Sequence, residues 1–119
     1  EIEGLYFWGS PIQPTFFNWA FNRNRGQPIQ KHWDLIPKHT DVLITHGPPW
    51  TILDECKNGA LVGCQDLLAK VKEIKPKIHA FGHIHESYGT KQVGETLFVN
   101  ACSLDHRYRV SNPCIVVDI

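Results

Sequence analysis

The chain has 119 residues, of which 42% are hydrophobic, and this suits one globular domain with its own core rather than a disordered segment. Its 12 basic and 12 acidic residues cancel, so no net charge favours nucleic acid or an anionic membrane as a partner. Its apolar runs are far too short to span a bilayer, and no basic start leads into a hydrophobic segment, so we expect no membrane association.

The first third of the chain predicts one strand, one long loop and one short helix. Residues 5–8 are aromatic and apolar between glycine-containing breaks, a pattern that predicts a short buried strand. Residues 11–26 mix prolines, aromatic side chains and polar side chains, which is typical of a long loop. Residues 30–39 predict a short helix with Trp33 and Ile36 on one face.

The middle of the chain predicts a β-α-β unit around residues 41–82. Residues 41–46 form a continuous apolar and β-branched run, which favours a strand that is covered on both faces. Residues 63–75 carry one apolar stripe and predict an amphipathic helix, and residues 77–82 predict the next strand. Because such crossovers are right-handed, we expect the two strands to be parallel and adjacent.

The remaining segments complete the predicted fold. Residues 96–101 and 114–119 predict two further strands joined by polar turns, so the fold class is α/β. The four cysteines lack a Cys-x-x-Cys spacing, which argues against a zinc ribbon. We expect reduced and mostly buried thiols in a cytoplasmic protein, with one disulfide pair as the alternative. The chain contains no methionine and begins with Glu1, so we expect it to be part of a longer protein.

Three histidines are expected at one edge of the predicted sheet. His46 ends the strand at residues 41–46, and His83 and His85 directly follow the next strand. Parallel strands lie about 4.8 Å apart and place their carboxyl ends at the same edge, where α/β sheets bind ligands. On an extended backbone His83 and His85 would also point the same way. We therefore predict that His46, His83 and His85 bind metal, with ordinary surface histidines as the alternative interpretation.

Two kinds of metal site are compatible with three imidazoles. A mononuclear zinc site needs only the three histidines and an open position, whereas half of a two-metal centre also needs bridging carboxylates. Glu86 would point to the opposite face of an extended strand, and Asp54, Glu55 and Asp105 are candidates for indirect support only. The chain contains no Asp-x-His and no Gly-Asn-His, so the expected carboxylate partners are absent from it.

A set of spaced motifs extends over the whole chain. The motifs are Gly9-Ser10-Pro11, Thr45-His46-Gly47-Pro48-Pro49, Phe81-Gly82-His83-Ile84-His85-Glu86, Val99-Asn100-Ala101 and Asn112-Pro113. Together they resemble the carboxyl-terminal half of the calcineurin-like metallophosphoesterases, in particular the metallophosphoesterase-domain-containing branch.

The resemblance implies a fold and a ligand set. The fold would be the carboxyl-terminal part of a sheet-on-sheet core flanked by helices, with residues 1–119 as a single partial domain that lacks the amino-terminal metal-binding half. The activity would be that of a metal-dependent phosphodiesterase or phosphatase with two divalent ions, and manganese, iron, zinc and cobalt are the candidates. His46 and His83 would ligate one ion, and His85 the other.

The resemblance also implies partners. An Asp-x-His, a bridging aspartate and a Gly-Asn-His that carries the general acid would come from an upstream half of the same domain, in cis or in trans. The substrate would be a small-molecule phosphoester, with nucleotides as one candidate class. The alternative is a non-catalytic truncated module that binds metal or phosphate or serves as an interaction surface. The resemblance assigns no catalytic or substrate-binding residue to this chain.

Several other side chains have a structural and a functional interpretation. The aromatic loop, residues 16–21, predicts a core plug, although it could instead stack on a nucleobase while Arg23 or Arg25 binds phosphate. His79 lies inside a predicted strand and is expected to be a packed structural histidine. His106 is expected in a solvated polar turn.

Overall fold

Seven strands and two helices make up the regular structure of the computed structural model, which describes residues 1–119. A short 3₁₀ turn, His85–Ser87, separates two of the strands. In chain order the elements are β1 (Phe7–Ser10), β2 (Gln13–Pro14), β3 (Asn22–Arg23), α1 (Gln27–Trp33), β4 (Val42–Thr45), α2 (Gln65–Ile74), β5 (Ile78–Phe81), β6 (Gly89–Val93) and β7 (Thr96–Asn100).

Five of the strands form one sheet with the order β1-β4-β5-β7-β6. β1, β4, β5 and β7 are parallel, and only β6 runs antiparallel to its neighbour. β4 pairs directly with β5, and α2 connects them, so the predicted β-α-β unit is confirmed. The chain is therefore a mixed α/β fold built on a mostly parallel sheet, as its sequence pattern indicated.

Both helices pack on the same face of the sheet. Ile29 and Trp33 from α1 and Leu67 and Val71 from α2 are buried in the main apolar cluster, which also contains Leu43, Phe81 and Phe98 from the sheet. The opposite face carries a small cluster of Val42, Ile78 and Val99, against which Ile115 and Val117 are packed. The core therefore lies mainly between the helices and the sheet.

The helix ends follow from local sequence. α1 starts at Gln27 rather than at residue 30, because Pro28 at the helix start fixes a helical φ and lacks an N–H that would otherwise stay unpaired. α2 starts after Cys64, whose Sγ accepts a hydrogen bond from the Leu67 N–H at 3.4 Å. It ends at Lys75, which adopts a left-handed conformation just before Pro76.

Three strand predictions need correction. The first strand begins at Phe7 and lies at the sheet edge, where Phe7 is 41% exposed, so it is not buried. β4 is not covered on both faces, since Ile44 is 48% exposed. Residues 114–119 form no strand, because the backbone there pairs with no sheet neighbour.

The structure contains one layer of main sheet and a separate β2–β3 pair. A sheet-on-sheet core therefore remains a prediction for a longer domain and is not formed by these residues alone. The four cysteines are free, with Cys64 buried, Cys56 and Cys102 half-buried and Cys114 exposed. Neither helix has the length and apolar character needed to cross a membrane.

Candidate metal centre

The loops that follow the parallel strands meet at one edge of the sheet. His46 follows β4, and His83 follows β5, as the topology predicted. The Nε2 atom of His46 lies 3.2 Å from the Nδ1 atom of His83, so the two rings point their nitrogens at one another. We call these two residues the histidine pair.

The turn that carries His46 is held from two sides. The Thr45 hydroxyl donates a hydrogen bond to the Gly47 carbonyl at 2.7 Å, closing the turn around His46. The Gly82 N–H donates to the His46 carbonyl at 3.0 Å. Because Gly82 directly precedes His83, this second bond joins the backbones of the two histidine-bearing loops.

A close backbone contact holds the chain just beyond that turn. The Cys64 N–H donates to the Pro48 carbonyl at 3.0 Å, and the Trp50 N–H donates to the Cys64 carbonyl at 3.1 Å. The neighbouring Gly63 lies so near this segment that an added Cβ would be 2.3 Å from the Pro49 carbonyl oxygen. Only glycine permits this approach, so the start of α2 fixes the path of the chain after His46.

The backbone turns sharply at His83, and the extended geometry expected for His83 and His85 is wrong. His83 has a φ of 71°, in the left-handed region, and His85 begins the 3₁₀ turn. The intervening Ile84 is buried, and its carbonyl accepts a hydrogen bond from the Asn100 amide at 2.9 Å. Packing and hydrogen bonding of Ile84 therefore set the directions of the flanking histidines.

Asn100 was not identified from the sequence as a site residue. It is fully buried at the end of β7, where its amide donates to the carbonyls of Leu53 and Ile84 and its oxygen accepts from the Cys102 N–H at 3.1 Å. The available signal was a polar residue that ends an apolar strand at the same sheet edge as the histidines. Asn100 acts on the site by holding backbone rather than by facing the histidine pair.

His85 is oriented by the loop that follows β7. Its Nδ1 lies 2.9 Å from the Asp105 carbonyl oxygen, and since a carbonyl only accepts, Nδ1 carries a proton, which leaves Nε2 as the metal-binding nitrogen of the neutral ring. The Asp105 carboxylate accepts hydrogen bonds from the N–H groups of Arg107 and Arg109 and from the Arg109 side chain. The backbone hydrogen bond from Arg109 is the main cause that lowers the Asp105 pKa to about 2.

Burial lowers the pKa values of both members of the histidine pair. For His83 the neighbouring His46 and His85 lower the pKa further, since a second positive charge would be repelled. The His46 side chain is exposed and lines a cavity. Both rings therefore favour the neutral form, the form in which imidazole binds a metal ion.

A cavity of about 980 Å³ lies over the histidine pair. His46, His83, His85, Glu86, His106 and Tyr108 line one part of it. His106 is exposed on this surface, in the turn where the sequence placed it. The aromatic loop lines another part of the cavity.

The aromatic loop is not a core plug. Phe17 is 79% exposed and Trp19 is 51% exposed, while the rings of Phe16 and Trp19 stand edge-on to His83 with centroids 5.8 and 6.1 Å away. The Asn22 side chain holds the loop by bonding the backbone of Phe16 and Phe17. Apolar content predicted burial, but the loop instead faces the cavity.

The two arginines considered for phosphate make contacts within the protein. Arg25 donates to the carbonyls of Val62 and Gly63, and Arg23 bonds His32 and the Asn22 carbonyl. Both guanidinium groups therefore hold the loops together, and this geometry gives no support to a phosphate-binding role.

Two of the carboxylates weighed as metal partners, Asp54 and Glu86, have structural contacts. The buried Asp54 accepts from the N–H groups of Thr51 and Gly63, and Glu86 accepts from the Lys57 N–H at 2.7 Å. No group of three or more His, Cys, Asp or Glu side chains in residues 1–119 is arranged to hold one ion. The histidine pair stands by itself, and the mononuclear three-histidine alternative has no geometric support.

Comparison with known proteins supports the same branch that the motifs resemble. The chain is 46% identical over 120 residues to human Metallophosphoesterase domain-containing protein 1, covering 99% of this chain and 37% of that protein. It is 44% identical over 120 residues to a UPF0046 protein of Caenorhabditis elegans, covering 100% of this chain and 30% of that protein. A second UPF0046 protein of that organism is 40% identical over 128 residues, with 44% of its length covered.

The chain thus spans less than half the length of these curated relatives. No family model matches it. A solved crystal structure with 21% identity superposes with a TM-score of 0.55, over 84% of this chain and 42% of the other. At that identity the likeness describes the fold alone.

Proposed function

We propose that residues 1–119 are the carboxyl-terminal part of a metal-dependent phosphoester hydrolase and supply the histidine side of a two-metal centre. The observation that carries the proposal is the 3.2 Å separation between His46 Nε2 and His83 Nδ1. Two nitrogen ligands about 2.0–2.1 Å from one zinc ion, at bond angles of about 90–110°, are themselves about 2.9–3.4 Å apart. The histidine pair therefore has the spacing of two ligands of a single ion.

His85 has the features of a ligand for the second ion. Its Nδ1–H is held by the Asp105 carbonyl, which fixes the tautomer and leaves Nε2 free to bind. It lines the same cavity as the histidine pair. Its separate anchor on the Asp105 carbonyl supports one ion on His46 and His83 and another on His85.

Divalent ions held there would polarise a phosphoryl oxygen and lower the pKa of water. This chain's own contribution is to orient the imidazoles, to favour the neutral form of His46 and His83 by burial, and to line the cavity with the aromatic loop. A small-molecule phosphoester is the substrate class that fits, with nucleotides among the candidates. Manganese, iron, zinc and cobalt all suit imidazole with carboxylate ligands.

The bridging carboxylate and the general acid would come from an upstream half of the domain, in cis or in trans. Two features of the sheet support such a half. β1 lies at an edge with one side unpaired, and Phe7 and Ile44 expose apolar surface on the face opposite the helices. A second sheet laid on that face would complete the sheet-on-sheet core, with residues 1–119 as one partial domain.

A non-catalytic metal-binding module is the second candidate function. It is favoured by one observation: no carboxylate joins the histidine pair in a group able to hold an ion. The two candidates differ in whether adding the upstream half produces turnover.

The first experiment measures metal binding by the histidine pair. Cobalt and manganese are titrated into the chain and into His46→Asn, His83→Asn and a matched control, His39→Asn, which changes an exposed histidine away from the cavity. We expect both pair variants to lose binding and the control to keep it. Equal affinity in all four proteins would overturn the proposed centre.

A further inference from the structure

His79 is a fully buried histidine that the proposed site does not use. Its ring lies on the helix-covered face of β5 among Phe81 and Phe98, with ring centroids 5.0 and 5.6 Å away. Its Nε2 lies 2.9 Å from the Thr45 hydroxyl oxygen, and its Nδ1 has no hydrogen-bond partner. Leaving a buried nitrogen unpaired costs folding free energy, so packing alone does not account for an imidazole here.

The proton positions around Thr45 follow from its second contact. The Gly47 carbonyl, 2.7 Å from the Thr45 hydroxyl oxygen, can only accept, so it takes the single hydroxyl proton. The hydroxyl oxygen must then accept from His79, which makes His79 the Nε2–H tautomer. Burial lowers the His79 pKa to about 3, so the ring is neutral and carries one proton.

The resulting chain of hydrogen bonds ends at the turn that carries His46. His79 donates to Thr45, and Thr45 donates to Gly47, the residue directly after His46. The other side of that turn is held by the Gly82 N–H on the His46 carbonyl. The backbone of His46 is therefore fixed by one contact from inside the core and one from the His83 loop.

We propose that His79 is a positioning residue for the histidine pair: acting through the Thr45 hydroxyl, it holds the turn of His46 and so sets the separation between His46 Nε2 and His83 Nδ1. The importance of that separation for metal binding rests on the proposed function. The series of hydrogen bonds from His79 through Thr45 to Gly47 is independent of the proposed function.

The test compares variants that remove or restore each donor. His79→Leu removes the hydrogen bond to Thr45, Thr45→Val removes both that bond and the one to the Gly47 carbonyl, and His79→Gln and Thr45→Ser keep a donor of similar reach. Cobalt affinity is measured by titration calorimetry and by the visible absorption of the bound ion, with urea unfolding as a check on folding. We expect affinity to fall about 10- to 100-fold in His79→Leu and Thr45→Val and to recover largely in the conservative variants.

The double variant His79→Leu/Thr45→Val separates positioning from packing. If His79 acts only through Thr45, the double variant binds cobalt no more weakly than Thr45→Val does. Additive losses, or unchanged affinity in His79→Leu, would overturn the inference and leave the proposed metal site intact.

A metal-free measurement keeps the inference testable if the chain binds no cobalt. Ring ¹⁵N NMR should show the Nε2–H tautomer for His79 and a hydrogen bond between His46 and His83, and that bond should be lost in His79→Leu and kept in His79→Gln. Unchanged His46 and His83 ring signals in His79→Leu would overturn the inference. Failure to bind cobalt with the expected NMR result would instead refute the proposed function alone.

Discussion

The Asn100 amide donates a hydrogen bond at 2.9 Å to the carbonyl of Ile84, the residue between His83 and His85. Asn100→Asp keeps the shape of the side chain but replaces the amide donor with an oxygen that faces two carbonyls. We expect a loss of at least about 1–3 kcal/mol in the free energy of unfolding, because two carbonyls lose their donor. Urea unfolding measures this loss.

The matched control for this substitution is Asn58→Asp, the same chemical change at an exposed turn. Asn58 uses its side-chain oxygen to accept from the Ala60 N–H, and an aspartate can do the same. We expect a change within about 0.5 kcal/mol. Similar losses at both positions would contradict the assigned role of Asn100.

The stability of the fold should fall in mild acid because of His79. Its pKa is lowered from 6.5 to about 3 by burial, so between those values the unfolded chain binds a proton that the folded chain does not. Stability contributed by the neutral ring is complete above pH 6.5 and declines by about 1.4 kcal/mol per pH unit as the pH falls towards 3. The lowered pKa values of His46 and His83 act in the same direction.

Urea unfolding at a series of pH values measures that slope. His79→Gln should reduce the slope by about 1.4 kcal/mol per pH unit, the contribution of one proton, and His39→Gln, at an exposed position, is the matched control for the loss of an imidazole. An identical pH dependence in wild type and His79→Gln would show that the imidazole titrates normally.

The Asp105 carboxylate, in the loop that orients His85, should stay ionised at acidic pH. The Asp105 pKa is lowered to about 2 from 3.8, chiefly by the Arg109 backbone hydrogen bond, so its contribution is present above pH 3.8 and is lost as the pH falls towards 2. The amide ¹H shifts of Arg107 and Arg109 should therefore titrate with a midpoint near that lower value. Asp105→Asn should abolish this titration; a midpoint at the usual value for aspartate would contradict the loop geometry.

The 119-residue chain by itself should show negligible phosphoesterase activity. Metal-bound imidazoles are neutral ligands and cannot offset the charge of two divalent ions, and the general acid of the resembling family, worth about 10²–10⁴-fold, would come from outside this segment. The assay uses manganese and a generic phosphodiester, with and without an added upstream half. If the isolated chain shows robust turnover and His85→Ala abolishes it, the partial-site interpretation is wrong.

The β-α-β unit was predictable because its signals are local. The apolar run of β4, the stripe of α2 and the prolines after each act within a few residues, and handedness then places His46 beside His83. The left-handed backbone at His83 was not predictable, because it depends on the buried Ile84 and its partner Asn100 from a distant strand. Tertiary contacts of this kind leave no periodicity in the sequence.

The predictions for the aromatic loop and for residues 114–119 were wrong for a related reason. Composition predicts how much apolar surface a segment has, but the partner that covers it is a property of the whole fold. Trp19 lines the cavity, and Val116 is 88% exposed beside a half-covered sheet face. Residues 114–119 would form a strand only if their backbone paired with a neighbouring strand, and in this fold it pairs with none.

The histidine pair is separated by only 37 residues, all within the β4-α2-β5 unit. Its assembly requires a single short crossover to close, with a small loss of chain entropy compared with a site drawn from distant segments. In the folding order, the two histidine-bearing loops should meet as soon as β5 docks on β4, whereas the direction of His83 is set only when β7 brings Asn100 to the Ile84 carbonyl. A variant in which the β4-α2-β5 unit folds slowly should therefore also assemble its histidines late.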